Sequence, residues 1–215
     1  MNTLLINCNS NCYDIKSASN IIKSGGIGIF PTDTVYGIGC NALNETAIRN
    51  LFNAKKRDLS NPINVLISDI SMVELLATNI SNIEYKLMKA FWPGPFTIIL
   101  NKKASISNIL TSNLDTIGLR IPNNNICLDL IKETNLPIAT SSANISGSIP
   151  AIEIDEQIKN NFYGNINFMI DGGKLESGVP STIVKVNNNH VIILRNGPIK
   201  INDIKKLVGG DINVK

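Results

Sequence analysis

The chain of 215 residues has few of the side chains that carry acid–base or metal chemistry. It contains one histidine, at position 190, and four cysteines, at positions 8, 12, 40 and 127, none of them in a CxxC pair. This scatter argues against a zinc or iron–sulfur centre, and we predict no metal site built from the chain's own side chains. The GxSxG and GxxxxGK[ST] motifs are absent as well, which argues against a serine hydrolase or a P-loop nucleotide site.

Long apolar runs and leader-like segments are also missing. No apolar run approaches the roughly 20 residues that cross a bilayer, and no basic segment followed by an apolar stretch opens the chain. Together with the unpaired cysteines, this predicts a reduced, cytoplasmic protein without membrane association.

Both the fraction of charged residues and the net charge are low. Charged residues make up 17% and apolar residues 43% of the chain, which favours a folded protein over a disordered one. The net charge is +3, with no basic run longer than Lys55 to Arg57, so phosphates or RNA could bind but are not required. The length predicts a single domain over residues 1–215, with a core of about 14–200 and a short C-terminal tail.

The periodicity of the apolar residues predicts helices alternating with short strands. Helices are predicted in "DIKSASNIIKSGG", in "NETAIRNLFNAKKR" with Asn44 as N-cap, and in "SNIEYKLMKAFW", where Ser81 and Glu84 have capping-box spacing. Three further helices are predicted in "NICLDLIKE", "DEQIKNN" and "INDIKKLV". Strands are predicted in "IGIF", "INVLIS", "FTIIL", "TIGLRI", "LPIAT", "NFMID", "STIVKV" and "VIILR". The order predicts an α/β domain with one twisted, mixed sheet.

Two polar segments stand out as candidate binding loops. "FPTDTVYGIGC", residues 30–40, follows the strand "IGIF" and is predicted to be a strand-end loop; its glycines do not have the GxGxxG spacing of a dinucleotide site. "ATSSANISG", residues 139–147, offers three successive hydroxyl side chains that would suit a phosphate or a carboxylate. Taken alone, the second segment is better explained as an ordinary capped turn.

Arginine is rare, with four residues against sixteen lysines, so its retained positions favour a planar, bidentate contact. Arg57, Arg120 and Arg195 stand near predicted strand ends, where open α/β sheets bind ligands. Each alone could pair with a surface carboxylate. Together they favour an anion site that acts by positioning and by neutralising charge.

Six segments, in order, resemble the YrdC/TsaC family of L-threonylcarbamoyladenylate synthases. They are "FPTDTVYGIG", "AKKRDLSNPI", "FWPGPFTIIL", "TIGLRIP", "SSANISG" and "STIVKV…ILRNGP". The resemblance implies one YrdC-like domain, with a twisted open mixed sheet and flanking helices around a large basic cavity. It also implies a nucleotidyltransferase that makes threonylcarbamoyl-AMP and pyrophosphate from ATP, bicarbonate and L-threonine. The product would serve N6-threonylcarbamoyladenosine synthesis in tRNA, through a downstream threonylcarbamoyl-transferase complex.

The resemblance also implies roles for individual residues. It assigns Thr34, Arg120, Thr140 and Ser181 to L-threonine, and Arg57, Asn61, Thr116, Ser142, Asn144, Pro150 and Arg195 to ATP. Lys55 and Arg57 are implied as the catalytic cations, with Mg²⁺ held mainly through the ATP phosphates. Two positions depart from many relatives: Leu66 replaces a histidine that contacts threonine, and Pro150 replaces a serine near ATP.

No protein base is needed for the implied reaction, because the amine and bicarbonate can form N-carboxythreonine, whose carboxylate attacks the α-phosphorus. Two alternatives remain: an RNA-binding module without catalysis, for which 5% aromatics offer little, and a carbamoyl-transfer domain related to hydrogenase maturation. About 20 residues follow Arg195, so we expect the short form, without the C-terminal domain of longer relatives.

Overall fold

A computed structural model of the chain describes residues 2–8, 14–188 and 190–209. The strands are β1 (Leu4–Asn7), β2 (Ile27–Phe30), β3 (Gly37–Asn41), β4 (Asn64–Leu66), β5 (Ala77–Thr78), β6 (Phe96–Lys102), β7 (Thr116–Arg120), β8 (Ile138–Ser142), β9 (Phe168–Asp171), β10 (Thr182–Asn187) and β11 (His190–Arg195). The α-helices are α1 (Ile15–Lys23), α2 (Glu45–Ala54), α3 (Val73–Leu76), α4 (Asn82–Phe91), α5 (Asn125–Thr134), α6 (Glu156–Phe162) and α7 (Ile201–Val208). A 3-10 turn, Ile70–Met72, precedes α3.

The strands form one mixed sheet in the order β1-β9-β2-β3-β8-β4-β7-β6-β10-β11, with β5 beside β6. Parallel pairs are β1 with β9, β9 with β2, β4 with β7, and β6 with β10; the remaining neighbours are antiparallel. Strands β1 and β11 lie at opposite ends of the order, so the sheet is open. The predicted α/β class with an open, mixed sheet is confirmed.

The segment from residue 30 to residue 40 is a hairpin and not a loop throughout. The sequence prediction was wrong for Gly37–Asn41, which is strand β3 and pairs with both β2 and β8. A Cβ on Gly37 would lie 2.7 Å from Thr140 Cγ2, and one on Gly39 would lie 2.7 Å from the Ala139 carbonyl oxygen. The glycines therefore permit close approach of two strands. Because glycine has a low strand propensity, this role is not visible in the sequence pattern.

The predicted helix caps are confirmed. The Asn44 side chain accepts a hydrogen bond from the Ala47 amide, and Ser81 and Glu84 form a reciprocal capping box at the start of α4. Helix α2 ends at Ala54 because Lys56 has a left-handed backbone, with φ of +50°. Between them stands Lys55, the C-cap residue, and the turn continues into Arg57.

Two apolar clusters lie on opposite faces of the sheet. Ile29 belongs to the larger cluster and its neighbour Phe30 to the smaller one, which also contains buried residues of α1 and α5. In β4, Val65 likewise faces the larger cluster and Leu66 the smaller. Successive residues of these strands thus pack against opposite faces of the sheet.

The core extends beyond the predicted range of about 14–200. Ile6, in β1, is 6% exposed and Ile204, in α7, is fully buried. Strand β1 adds to the sheet through β9, so Leu4–Asn7, which precede position 14, contribute to the fold. Within the described ranges, no helix combines the length and the apolar character needed to cross a membrane.

Candidate active site

A cleft of about 430 Å³ lies across the polar face of the central strands. Alternate residues of β4 and β6 line it, as a period of two requires when one face of a strand is exposed, and the last three residues of β8 line it consecutively. Loops that carry Thr34, Arg57, Pro150 and Pro180 close its sides. Arg120 and Arg195 are the last residues of β7 and β11, at strand ends as predicted, and the rest of the site is spread over the face of the sheet.

Eight of the twelve predicted site residues line this cleft. They are Thr34, Arg57, Arg120, Thr140, Ser142, Pro150, Ser181 and Arg195. The other four, Lys55, Asn61, Thr116 and Asn144, do not line it. The tertiary structure therefore brings together residues of both candidate loops and three arginines that are distant in the sequence.

Arg120 is held from three directions at the end of β7. Its Nε donates to the Gly94 carbonyl (2.9 Å), its Nη1 to Thr34 Oγ1 (3.1 Å), and its Nη2 to Asp33 Oδ1. Burial lowers the pKa of Arg120, and the adjacent Asp33 carboxylate acts in the opposite direction. Since a guanidinium stays protonated in proteins, this is a buried ion pair inside the cleft wall.

Arg195, in β11, is positioned by Ser181 and is separated from Arg120 in the sheet by β6 and β10. Its Nε donates to the Ser181 carbonyl and its Nη2 to Ser181 Oγ, both at 3.0 Å. The Ser181 hydroxyl also lies 2.8 Å from Thr97 Oγ1. Burial lowers the pKa of Arg195, and the positive charge of Arg120 lowers it further, so the two cations act on each other.

Arg57 is anchored by main-chain oxygens only. Its Nε donates to the Asn61 carbonyl (3.1 Å) and its Nη2 to the Pro62 carbonyl (2.9 Å). Burial lowers its pKa. The Asn61 side chain was predicted to contact ATP, yet Asn61 is exposed and its recorded contribution to the site is this carbonyl.

Lys55 lies behind the cleft wall and not in the cleft. It is 1% exposed, and its Nζ donates to the carbonyls of Ser142 and Asn144, the second at 2.6 Å, with Asn144 Oδ1 at 3.4 Å. Burial lowers its pKa to about 7, and the nearby Arg57 charge adds to the effect. The main-chain carbonyl of Lys55 also accepts a hydrogen bond from the Ser146 amide (3.1 Å). Lys55 thus holds the loop that starts at Ser142 through both its side chain and its main chain.

Asn144 and Thr116 also lie outside the cleft lining. The Asn144 side chain is folded into its own loop, where Oδ1 accepts from Ser142 Oγ (2.5 Å) and Nδ2 donates to Ser148 O (2.6 Å). Thr116 begins β7, four residues before Arg120, which places it about 13 Å further along the strand. In this structure Asn144 shapes the loop, and Thr116 is remote from the arginines.

Several lining residues were missed by the sequence interpretation. Thr32, Asn64 and Thr97 line the cleft but were not among the predicted site residues, although Thr32 and Thr97 lie inside quoted segments. Strand alternation could have found two of them, because Asn64 precedes Val65, and Thr97 stands between Phe96 and Ile98, all of them buried. Thr32 carries no such signal: its hydroxyl accepts from the Thr34 amide (3.1 Å), a contact within one turn.

The two departures from the family pattern both face the cleft. Leu66 lines it, is 4% exposed, and is the strand partner of Arg120 in the parallel pair of β4 and β7. Pro150 lies opposite, in the loop after β8. An apolar side chain therefore stands beside the Arg120 anchor.

No acidic cage for a metal accompanies the arginines. Among the residues that the structure describes, no group of three or more His, Cys, Asp or Glu side chains is placed to hold a metal ion. The same described residues include no aspartate or glutamate in the cleft lining. The donors of the cleft are hydroxyls, amides and guanidinium groups, which suit anions.

Comparison with known proteins agrees with this site. Residues 20–197 match the Sua5/YciO/YrdC family model, whose description is "Telomere recombination". A threonylcarbamoyl-AMP synthase of Pyrococcus abyssi is 38% identical over 209 residues, which cover 96% of this chain and 61% of the relative. A putative threonylcarbamoyl-AMP synthase of Methanocaldococcus jannaschii is 38% identical and covers 86% of both chains.

A solved structure is similar along almost the whole chain. The crystal structure of P. abyssi Sua5 complexed with L-threonine has a TM-score of 0.93 at 37% identity, covering 99% of this chain and 63% of the other. The chain thus spans about three fifths of the length of that relative. Since the family model matches most of the chain and sequence, fold and cleft agree, this chain belongs to the Sua5/YciO/YrdC family.

Proposed function

We propose that the chain is a threonylcarbamoyl-AMP synthase, which makes L-threonylcarbamoyladenylate and pyrophosphate from L-threonine, bicarbonate and ATP. The observation that carries the proposal is the convergence of Arg57, Arg120 and Arg195 with the hydroxyls of Thr34 and Ser181 in one cleft. Relatives that bear this name, one of them crystallised with L-threonine, support it over an RNA-binding module or a carbamoyl-transfer domain.

The charges in the cleft support a division between the two substrates. Arg57 and Arg195 are bound only by neutral oxygens in the contacts recorded for them, so each offers a full positive charge. We assign the phosphates of ATP to these two residues. Arg120 has a carboxylate partner, and we assign to it the carboxylate of L-threonine.

The chemistry follows in two steps. The threonine amine and bicarbonate give N-carboxythreonine, with loss of water, and the new carboxylate then attacks the α-phosphorus of ATP. The oxygen–phosphorus bond to pyrophosphate breaks, and pyrophosphate takes the electron pair. The chain's own residues align the two substrates and offset charge on the phosphates, which is the usual protein contribution to nucleotidyl transfer.

Lys55 contributes to this scheme indirectly. Because its ammonium is turned to the carbonyls of Ser142 and Asn144, we propose that it fixes the loop that forms one wall of the nucleotide side. The sequence-based role of Lys55 as a cation in contact with phosphate would require this ammonium to leave its present partners.

Mg²⁺ would be held by the phosphate oxygens of ATP, where it would offset part of their charge. The hydroxyls and cations of the cleft fit a metal that arrives with the nucleotide, because they include no carboxylate to hold it alone. We further propose that the product passes to a tRNA threonylcarbamoyl-transferase complex, since a mixed anhydride of this kind hydrolyses if it is not used.

Incubation with ATP, Mg²⁺, labelled bicarbonate and L-threonine tests the proposal. We expect label in a compound with the mass of threonylcarbamoyl-AMP, and release of pyrophosphate that stops when either threonine or bicarbonate is omitted. D-Threonine is the matched control, because it keeps every functional group and changes only their arrangement. Failure to form the labelled adenylate would refute the proposed function, and tight RNA binding in its place would favour the alternative.

A further inference from the structure

We propose that Asp33 is a specificity-determining residue that makes the Arg120 site of the cleft select a zwitterionic amino acid over a plain carboxylate anion. This rests on the proposed function, since it assumes that the carboxylate of an amino acid binds at Arg120. Asp33 belongs to none of the residues to which the resemblance assigns a contact with either substrate, and it does not line the cleft.

The first observation is the burial of the ion pair. The side chains of Arg120 and Asp33 are 7% and 11% exposed, and they are joined by the bond from Nη2 to Oδ1. Among the described residues, Asp33 Oδ2 is buried without a hydrogen-bond partner. Arg120 is therefore the one group recorded as compensating this carboxylate, whose field extends into the neighbouring cleft with little screening.

The second observation is the contrast between Arg120 and the other two arginines of the cleft. The recorded partners of Arg57 and Arg195 are carbonyl and hydroxyl oxygens, which leave their charge intact. The pair of Arg120 and Asp33 has a net charge near zero. Arg57 and Arg195 are thus sites of positive charge, whereas the Arg120 site carries a positive and a negative charge side by side.

The third observation is that Arg120 keeps donors for a ligand. A guanidinium has five N–H groups, and three bonds are recorded, one from each nitrogen. One N–H of Nη1 and one of Nη2 remain, which suffices for a carboxylate. These three bonds also prevent rotation of the group, so a ligand meets it in one orientation.

A fixed cation beside a fixed anion complements an α-amino acid at neutral pH, which also carries one charge of each sign. Asp33 need not touch the ligand: its negative charge attracts the ammonium and repels a carboxylate that lacks one. A deaminated ligand would bind the same donors of Arg120, but without the favourable contribution from Asp33. The discrimination between the two ligands should therefore depend on the charge at position 33.

Calorimetric binding of two probes to the full chain tests this inference. The probes are L-threonine and 3-hydroxybutyrate of matching configuration, which differs from threonine only in having hydrogen in place of the ammonium group. In the wild-type chain we expect threonine to bind more tightly. In Asp33→Asn, which keeps the size and an acceptor for Arg120, we expect the affinity ratio to fall by about tenfold, with 3-hydroxybutyrate gaining affinity.

Replacement of a residue with a merely structural role would weaken the binding of both probes. A change of the two affinities in opposite directions is therefore the diagnostic result. Asp33→Glu retains the charge and should retain most of the ratio. Asp69→Asn, which changes an exposed carboxylate at the start of the 3-10 turn, is the control and should leave the ratio unchanged. Asp33→Ser provides a second neutral replacement if Asp33→Asn does not fold.

The outcomes separate this inference from the proposed function. A wild-type chain that binds neither probe refutes the amino-acid site and this inference with it. A wild-type chain that binds threonine, with an unchanged ratio in folded Asp33→Asn, refutes the role of Asp33 alone. An equal loss of both affinities would likewise refute selectivity and leave Asp33 as a structural partner of Arg120.

Discussion

Replacement of Lys55 by methionine tests whether this residue is a buried clamp or a free cation. Methionine keeps most of the length of the side chain and removes its donors, so the carbonyls of Ser142 and Asn144 lose their bond to Nζ. Each buried carbonyl left without a donor costs about 1–3 kcal/mol. We therefore expect Lys55→Met to be destabilised by about 2–4 kcal/mol at pH 9, where the folded wild-type chain holds the amine in its neutral form.

The pH dependence gives the sharper test. The pKa of Lys55 is lowered to about 7 in the folded chain, while an unfolded lysine keeps a pKa near 10.4. Between these values the unfolded chain binds a proton that the folded chain has released, so the free energy of unfolding rises with pH, by about 1.4 kcal/mol per pH unit. This contribution is complete above the unfolded pKa and is lost as the pH falls through about 7.

Urea unfolding of both proteins at pH 6 and pH 9 measures the effect. The advantage of the wild-type chain over Lys55→Met should be larger at pH 9 by about 2–3 kcal/mol, because two pH units separate pH 9 from the folded pKa. Lys56→Met removes a neighbouring, exposed ammonium and should give the same small difference at both pH values. An advantage that is equal at the two pH values, or larger at pH 6, would refute the buried-clamp interpretation.

Two further predictions concern the cleft, and a third concerns the pairing of β3 with β8. Arg57→Ala should abolish pyrophosphate release that depends on threonine and bicarbonate while the melting curve stays near that of the wild type; wild-type turnover in the folded variant would contradict a phosphate role. Thr34→Ala should raise the KM for threonine more than the KM for ATP, because it removes the acceptor for Arg120 Nη1, and equal increases would place Thr34 elsewhere. Gly39→Ala should lower the free energy of unfolding by about 1–3 kcal/mol in urea, since its Cβ would meet the Ala139 carbonyl at 2.7 Å; unchanged stability would show that β3 and β8 can separate.

Local signals in the sequence were the most reliable guides to the fold. The Asn44 cap and the capping box of Ser81 and Glu84 depend on contacts three residues apart, and both are present as predicted. Strand β3 was missed because its glycines have poor strand propensity, and pairing with β2 and β8 imposes the extended form. Strand β1 was missed too, since β9, its partner among the described strands, lies more than 160 residues later.

The sequence by itself determined the family, the α/β class and the residue types of the site, because these follow from ordered motifs and apolar periodicity. It also indicated that three rare arginines converge. Only the tertiary structure decided which of these arginines has a carboxylate partner and which bond to neutral oxygens. Asp33 and Arg120 are 87 residues apart, and Lys55 and Ser142 are also 87 apart, yet each pair is in contact. Charge in the cleft depends on such partners and on burial, and both arise only when the sheet brings distant segments together.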